Sequence, residues 1–187
     1  MFNVDKYIED VIMRETGGTQ DYVNDPDDAG GETRWGITKA TAREYGYMGD
    51  MRQLPKETAI NIYKSRYWLR PGYDKLVSID EKLAETSFDF GVLIGEKVSS
   101  RMIQRALNVL NNKGQYYPDI IADGIIGNKT IAAYNGYKNI RGKEGIQLLH
   151  NVICGFRSTY LVEVAERKEI NEKYVFGWLA NRVHWGE

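Results

Sequence analysis

The chain has 187 residues, 42% of them hydrophobic and 27% charged, with 25 Lys+Arg against 26 Asp+Glu. That balance fits a soluble globular protein with a sizeable core and excludes a disordered chain. A net charge of −1 argues against a nucleic-acid protein working by bulk electrostatics, and apolar runs such as Val92-Leu93-Ile94 fall far short of the roughly 18 residues a bilayer span needs, so no stable membrane insertion is expected.

Periodicity predicts helix along most of the chain. Val4, Tyr7, Ile8, Val11 and Ile12 follow the spacing of one helical face, with Asn3 to cap its start and Gly17-Gly18 to stop it. Glu32 to Thr38, bordered by Gly30-Gly31, is the best strand candidate. Pro55 suits the first turn of a helix running to about Trp68, with Ile60, Tyr63 and Tyr67 inward. Ser78 and Glu81 have capping-box spacing ahead of a helix reaching about Val92. Val98, Met102, Ile103, Ala106, Leu107 and Leu110 form a further apolar face, closed by the turn Asn111-Asn112-Lys113-Gly114. Ile146, Leu149, Ile153 and Phe156 mark a long helix from about Glu144 to Arg167. The expected class is mainly α, with a short β or loop excursion near residues 19–38.

Charge is uneven along the chain. Residues 1–95 carry a net −5 and residues 96–187 a net +4, a split that suits chemistry in one half and attachment to an anionic surface in the other. A single cysteine, Cys154, excludes an intramolecular disulfide and fits synthesis in a reducing compartment. Met1 to Glu15 alternate charged and apolar groups, unlike a secretory signal. His150 and Cys154 stand four apart on a predicted helix, a spacing zinc can use, but no third ligand lies at motif distance; a buried structural thiol is the expected role of Cys154. Lys138, Arg141 and Lys143 form a short basic cluster that suits either solvent or a phosphate-bearing glycan.

The chemically informative stretch is Arg14 to Thr38. Glu15 falls in the last turn of the first predicted helix, where the macrodipole presents partial negative charge, and Gly-Gly follows closely. Negative potential disfavours the carboxylate, and a carboxylic acid kept protonated near neutral pH is what a glycosidase needs to protonate a leaving-group oxygen. The loop after it carries Asp25, Asp27 and Asp28, offering a second carboxylate; two carboxyl groups flanking the scissile bond are the working parts of glycoside hydrolysis. The hydroxyl of Thr33 could help to hold the attacking water. A calcium loop is the competing assignment for Asp25-x-Asp27, but position 5 is Ala29 and position 12 is Gly36, where a bidentate glutamate belongs.

Glu15 and Gly17-Gly18, then Asn24-Asp25-Pro26, Asp28-Ala29-Gly30-Gly31-Glu32-Thr33 and Gly36-Ile37-Thr38, resemble the signature of glycoside hydrolase family 108, N-acetylmuramidases that include many phage endolysins. The family sets its glutamate directly before Gly-Gly; here Thr16 intervenes. The resemblance implies that Glu15 is the essential acid and that Asp28 and Thr33 complete a Glu/Asp/Thr constellation, Asp28 being favoured over Asp25 by its place in the Asp-x-Gly-Gly-x-Thr run. Tyr22, Asp25, Trp35 and Tyr47 are the candidate substrate contacts, the aromatic rings as faces on which sugars stack.

Further on, Asp123-Gly124-Ile125-Ile126-Gly127-Asn128-Lys129-Thr130, after Gln104-Arg105-Ala106-Leu107-Asn108, resembles the peptidoglycan-binding module that usually follows family 108 domains, with Thr130 beginning or capping a helix. Phe88-Asp89-Phe90-Gly91 resembles the join. Together the similarities imply a lysozyme-like compact helical globule, with residues 1–92 as the catalytic part and residues 93–187 as a peptidoglycan-binding-like helical part packed against it. The implied function is a monomeric peptidoglycan hydrolase that cuts the β-1,4 bond between N-acetylmuramic acid and N-acetylglucosamine, waiting in a host cytoplasm until release to the wall. Acid–base hydrolysis needs no cofactor and no metal. The rivals are a lytic transglycosylase and a non-catalytic wall-binding or virion structural protein.

Overall fold

The computed structural model describes residues 3–16, 22–24 and 31–183, with only the backbone of Glu15. The fold is mainly α: eight helices and one two-stranded sheet make up the regular structure of the described residues, with short 3-10 and π turns between them. The chain divides into two compact units between Leu69 and Arg70.

In the first unit, helix α1 (Val4–Glu15) starts where the Asn3 side chain accepts the Lys6 N–H at 3.1 Å. Its buried face is Ile8, Val11 and Ile12, all 0% exposed, matching the predicted spacing. Thr16 ends it, turning its N–H and its hydroxyl (2.9 Å) back to the Ile12 carbonyl; Gly17-Gly18, the expected stop, lies outside the described residues.

The predicted strand Glu32–Thr38 is instead a hairpin. Strands β1 (Thr33–Arg34) and β2 (Ile37–Thr38) pair antiparallel with Arg34 opposite Ile37. The turn between them is Trp35-Gly36, at φ 55 and 72, the positive values that a tight two-residue hairpin turn demands. Helix α2 (Lys39–Glu44) follows at once, capped by the Thr38 hydroxyl.

Helix α3 (Lys56–Tyr63) follows Pro55, which occupies the cap position, and runs into a π-helical stretch, Lys64–Leu69. The wider turn displaces the inward face by one residue. Tyr63 is buried as expected, but Trp68, five residues on, takes the inward place foreseen for Tyr67, which is only half-buried.

In the second unit, α4 (Tyr73–Leu76), α5 (Glu81–Ile94), α6 (Glu96–Leu110), α7 (Asn128–Arg167) and α8 (Glu172–Arg182) follow in order. The cap of α5 is Asp80, not Ser78: Asp80 Oδ1 accepts the Leu83 N–H at 2.9 Å, while the Ser78 hydroxyl closes α4 on the Lys75 carbonyl. Helices α5 and α6 approach closely through small residues, with the Ser99 hydroxyl donating to the Ser87 carbonyl at 2.8 Å. Phe88, Asp89, Phe90 and Gly91, expected at a join, are all buried within α5. Asp89 pairs with Arg182 of α8 at 2.5 Å, and the buried Arg157 of α7 donates to the Ser87 hydroxyl and lies over the Phe90 ring.

The Asp123-Gly124 loop is organised by Gln104 of α6, 1% exposed. Its amide nitrogen lies within hydrogen-bond distance of Asp123 Oδ1, the Ile125 carbonyl and the Thr130 hydroxyl, and its amide oxygen accepts the Gly124 N–H. Gly124 is required twice over: its φ is 85, and a Cβ there would stand 2.8 Å from the Lys97 carbonyl oxygen. Gly127 caps α7; Thr130 lies inside the helix and is buried, so it does not cap. Helix α7 is two helical segments that meet at a break at Gly142, where φ is 61 and ψ is −154; the segment after the break, ending at Arg167, is the long helix expected from about Glu144, and the segment before it was not foreseen.

A second polar cluster joins α5 to α7. Asp80 Oδ2 accepts the Tyr134 phenol at 2.7 Å and meets His150 Nε2 at 2.6 Å. Burial works against the ionised Asp80, but the His150 hydrogen bond and charge, followed by the Tyr134 hydrogen bond, outweigh it and hold the carboxyl below its ordinary value. His150 is thus engaged by a carboxylate, and the Cys154 thiol is buried.

Candidate active site

The described part of the Arg14–Thr38 stretch is a polar platform on the hairpin. The short segment 22–24 joins it through an antiparallel bridge: Val23 N–H donates to the Thr33 carbonyl at 2.9 Å and Thr33 N–H to the Val23 carbonyl at 2.8 Å. Backbone pairing therefore fixes Thr33 and Tyr22 in one substructure. The Thr33 hydroxyl is half-buried and donates to the Gly31 carbonyl at 3.1 Å; its lone pairs remain able to accept.

Glu32, which the sequence did not single out, is the hub of this platform. Its Oε1 accepts the Tyr22 phenol at 2.7 Å and its Oε2 pairs with Lys39 at 2.5 Å. The Lys39 hydrogen bond, followed by that from Tyr22, holds the Glu32 carboxyl below the ordinary carboxylate range. The same bond from the other side raises the Tyr22 phenol, which stays a donor. Both Glu32 oxygens are thus engaged, one by Tyr22 and one by Lys39. Arg52 lies over the Tyr22 ring at 5.4 Å. The sequence signal for Glu32 was its place between Gly-Gly and the hairpin; nothing local pointed to its pairing with Lys39 across the turn.

The other predicted contacts fall in different settings. Trp35 is 5% exposed, and its indole N–H donates to the Leu54 carbonyl at 3.0 Å. It is a core anchor rather than a sugar platform, and that packing offsets the cost of placing a bulky residue at positive φ. Tyr47 is half-buried, with its phenol donating to the Asp50 carbonyl at 2.8 Å and Arg43 at 5.9 Å from its ring. Glu15 ends α1. Asp25, Asp27 and Asp28 lie outside the described residues. Among the described residues, no group of three or more His, Cys, Asp or Glu is gathered as a metal site would require, and no helix is long and apolar enough to cross a membrane.

Residues 8–95 match the family model described as Glycosyl hydrolase 108, and residues 98–183 match that described as Predicted Peptidoglycan domain. The first match spans Glu15 and the whole hairpin platform and ends at Gly95, between α5 and α6. The two matches follow one another along the chain without overlap. Among solved structures, the chain is similar in fold to "Structure of Brucella abortus SagA", at 22% identity and a TM-score of 0.59, covering 94% of this chain and 95% of that one. No curated protein matches the chain.

Proposed function

We propose that the protein is an N-acetylmuramidase that hydrolyses the β-1,4 bond between N-acetylmuramic acid and N-acetylglucosamine. Glu15 is the general acid, protonating the glycosidic oxygen. Asp28, or failing it Asp25, is the carboxylate that orients water or stabilises the oxocarbenium-like transition state. Thr33 accepts a hydrogen bond from that water, and Tyr22 and Tyr47 border the glycan. Residues 1–92 carry the chemistry and residues 93–187 hold the wall.

The observation that carries this proposal is the match of residues 8–95 to a glycosyl hydrolase model, joined in one chain to a peptidoglycan domain. An endolysin role, with the enzyme held behind a membrane until the wall becomes accessible, extends the same proposal. Its check is lysis from outside, against lysis from within only after the membrane is opened.

Mass spectrometry of fragments released from purified sacculi tests the reaction. Hydrolysis adds a water and leaves a reducing N-acetylmuramic acid end. An anhydro product, lighter by that water, would assign a lytic transglycosylase, and binding with no soluble fragment would assign a non-catalytic wall protein.

A further inference from the structure

An open depression with a volume of about 600 Å³ lies in the second unit beside the break in α7, with Lys138, Asn139 and Lys143 exposed. Gly142 makes the break in a region of backbone space open essentially to glycine alone. Gly145 lets the chain close behind it, because a Cβ there would meet the Arg141 Cβ at 2.1 Å. The bend parts the basic cluster seen in the sequence. Lys138 and Lys143, one on each side of Gly142, both line the depression. Arg141 is drawn elsewhere: it donates to the Tyr116 phenol at 2.8 Å and lies over that ring.

Neither lysine has an ion-pair partner among the described residues. Asp80 is the one carboxylate in the lining, and its side chain is 7% exposed. Its oxygens are occupied by the Leu83 N–H, the Tyr134 phenol and His150, so it is committed to its own neighbours rather than to the two ammonium groups. Asn139 adds an amide, and Ile79 and Ile146 supply apolar wall. The volume lies within the range of small-molecule sites, about 300–1,000 Å³. Two uncompensated cations in a concave site concentrate anions there.

We infer that the depression at the bend of α7 binds an organic oxyanion, a phosphate or carboxylate group on a small carrier, with Lys138 and Lys143 as its point charges. Asn139 donates to the bound group and the isoleucines contact the carrier. The site goes beyond the proposed hydrolysis and does not depend on it.

The test is a titration of the isotopically labelled full chain, followed by NMR, with glycerol 3-phosphate in one series and N-acetylalanine in another. Neither probe has a glycosidic bond, so loss of hydrolytic activity would not affect the result. Saturable shifts are expected at the amides of Asn139, Gly142 and Lys143 with at least one probe, and the probe that saturates at lower concentration identifies phosphate or carboxylate as the natural source. Replacing both lysines (Lys138→Ala with Lys143→Ala) should weaken binding at least ten-fold. The pair Lys138→Arg with Lys143→Arg should retain it, and Lys168→Ala should leave it unchanged. Failure of both probes to saturate at about 0.15 M ionic strength, or equal binding by the double-alanine variant, would overturn the assignment.

Discussion

The Tyr22–Glu32–Lys39 network of the first unit and the Tyr134–Asp80–His150 network of the second are built alike. In each, a carboxylate accepts a phenol and meets a nitrogen base, and in each the carboxyl is held below its ordinary range. They differ in their access to water. The Glu32 side chain is 25% exposed and lies just before a hairpin of two-residue strands; the Asp80 side chain is 7% exposed and joins the cap of α5 to α7. Water screens the first network, which leaves it to position Tyr22 against Glu32. The second bears on stability, because a buried carboxylate stripped of its partners is costly. Similar hydrogen bonds thus serve position in one unit and cohesion in the other.

That contrast is tested most sharply at the acidic residues that precede Glu32 in the chain. Asp28→Ala should lower lytic turnover about 100-fold, the scale of a positioned acid–base group, and Asp25→Ala should lower it less, with neither changing the melting temperature. Initial rates of sacculus clearing check this; equal or reversed losses would move the second carboxylate to Asp25 or remove the role.

At the buried network the effect should appear as stability. Asp80→Ala removes the α5 cap and leaves Tyr134 and His150 without their acceptor, for an expected loss of about 2–4 kcal/mol in urea unfolding. The sign of its pH dependence follows from the lowered folded-state value. The contribution is fully present above the unfolded carboxyl value of 3.8 and is lost as pH falls through the folded one. Wild type should therefore lose stability more steeply than Asp80→Ala as pH falls below about 3.8; parallel curves would show that Asp80 is not the group responsible.

Smaller effects should follow from surface charge. The net +4 of residues 96–187 should make sacculus binding weaken as salt rises, and co-sedimentation that stays flat with salt would leave only shape and stacking. The smallest effect is expected at Tyr22→Phe, which removes the phenol from Glu32 but leaves the Val23–Thr33 bridge. Its melting temperature should match wild type and its lytic rate should fall a few-fold; a large drop in melting temperature would mean that the exposed network is cohesive after all.

The helices were legible because their signal is local. The face of α1 and its Asn3 cap, the extent of α6 and the turn after it follow from spacing and short-range chemistry. What stayed hidden depends on partners distant in sequence. Trp35 sits at positive φ because its indole is anchored to Leu54, nineteen residues on. Trp68 faces inward because a π turn shifts the helical register, which no 3.6-residue pattern reports. Asp80 displaces Ser78 as cap while also reaching Tyr134 and His150 across the second unit. The helical segment before Gly142 was not foreseen, whereas the one after it follows from the spacing of Ile146, Leu149, Ile153 and Phe156. Of the candidate site, Thr33 was named from the motif and Tyr22 as an aromatic near it, yet Glu32, which accepts the Tyr22 phenol, was not, because its partner Lys39 lies on the far side of the hairpin turn.

The central claim is that cleavage belongs to the Glu15 region and wall attachment to residues 93–187. One experiment separates them: Glu15→Gln protein is mixed with sacculi, and the bound fraction and the soluble reducing sugar are measured in the same tube. The account predicts wild-type binding with sugar release reduced about 100-fold or more, as expected when a positioned proton donor is lost without a change of shape. Release above about a tenth of the wild-type rate, or binding that disappears together with release, would contradict it.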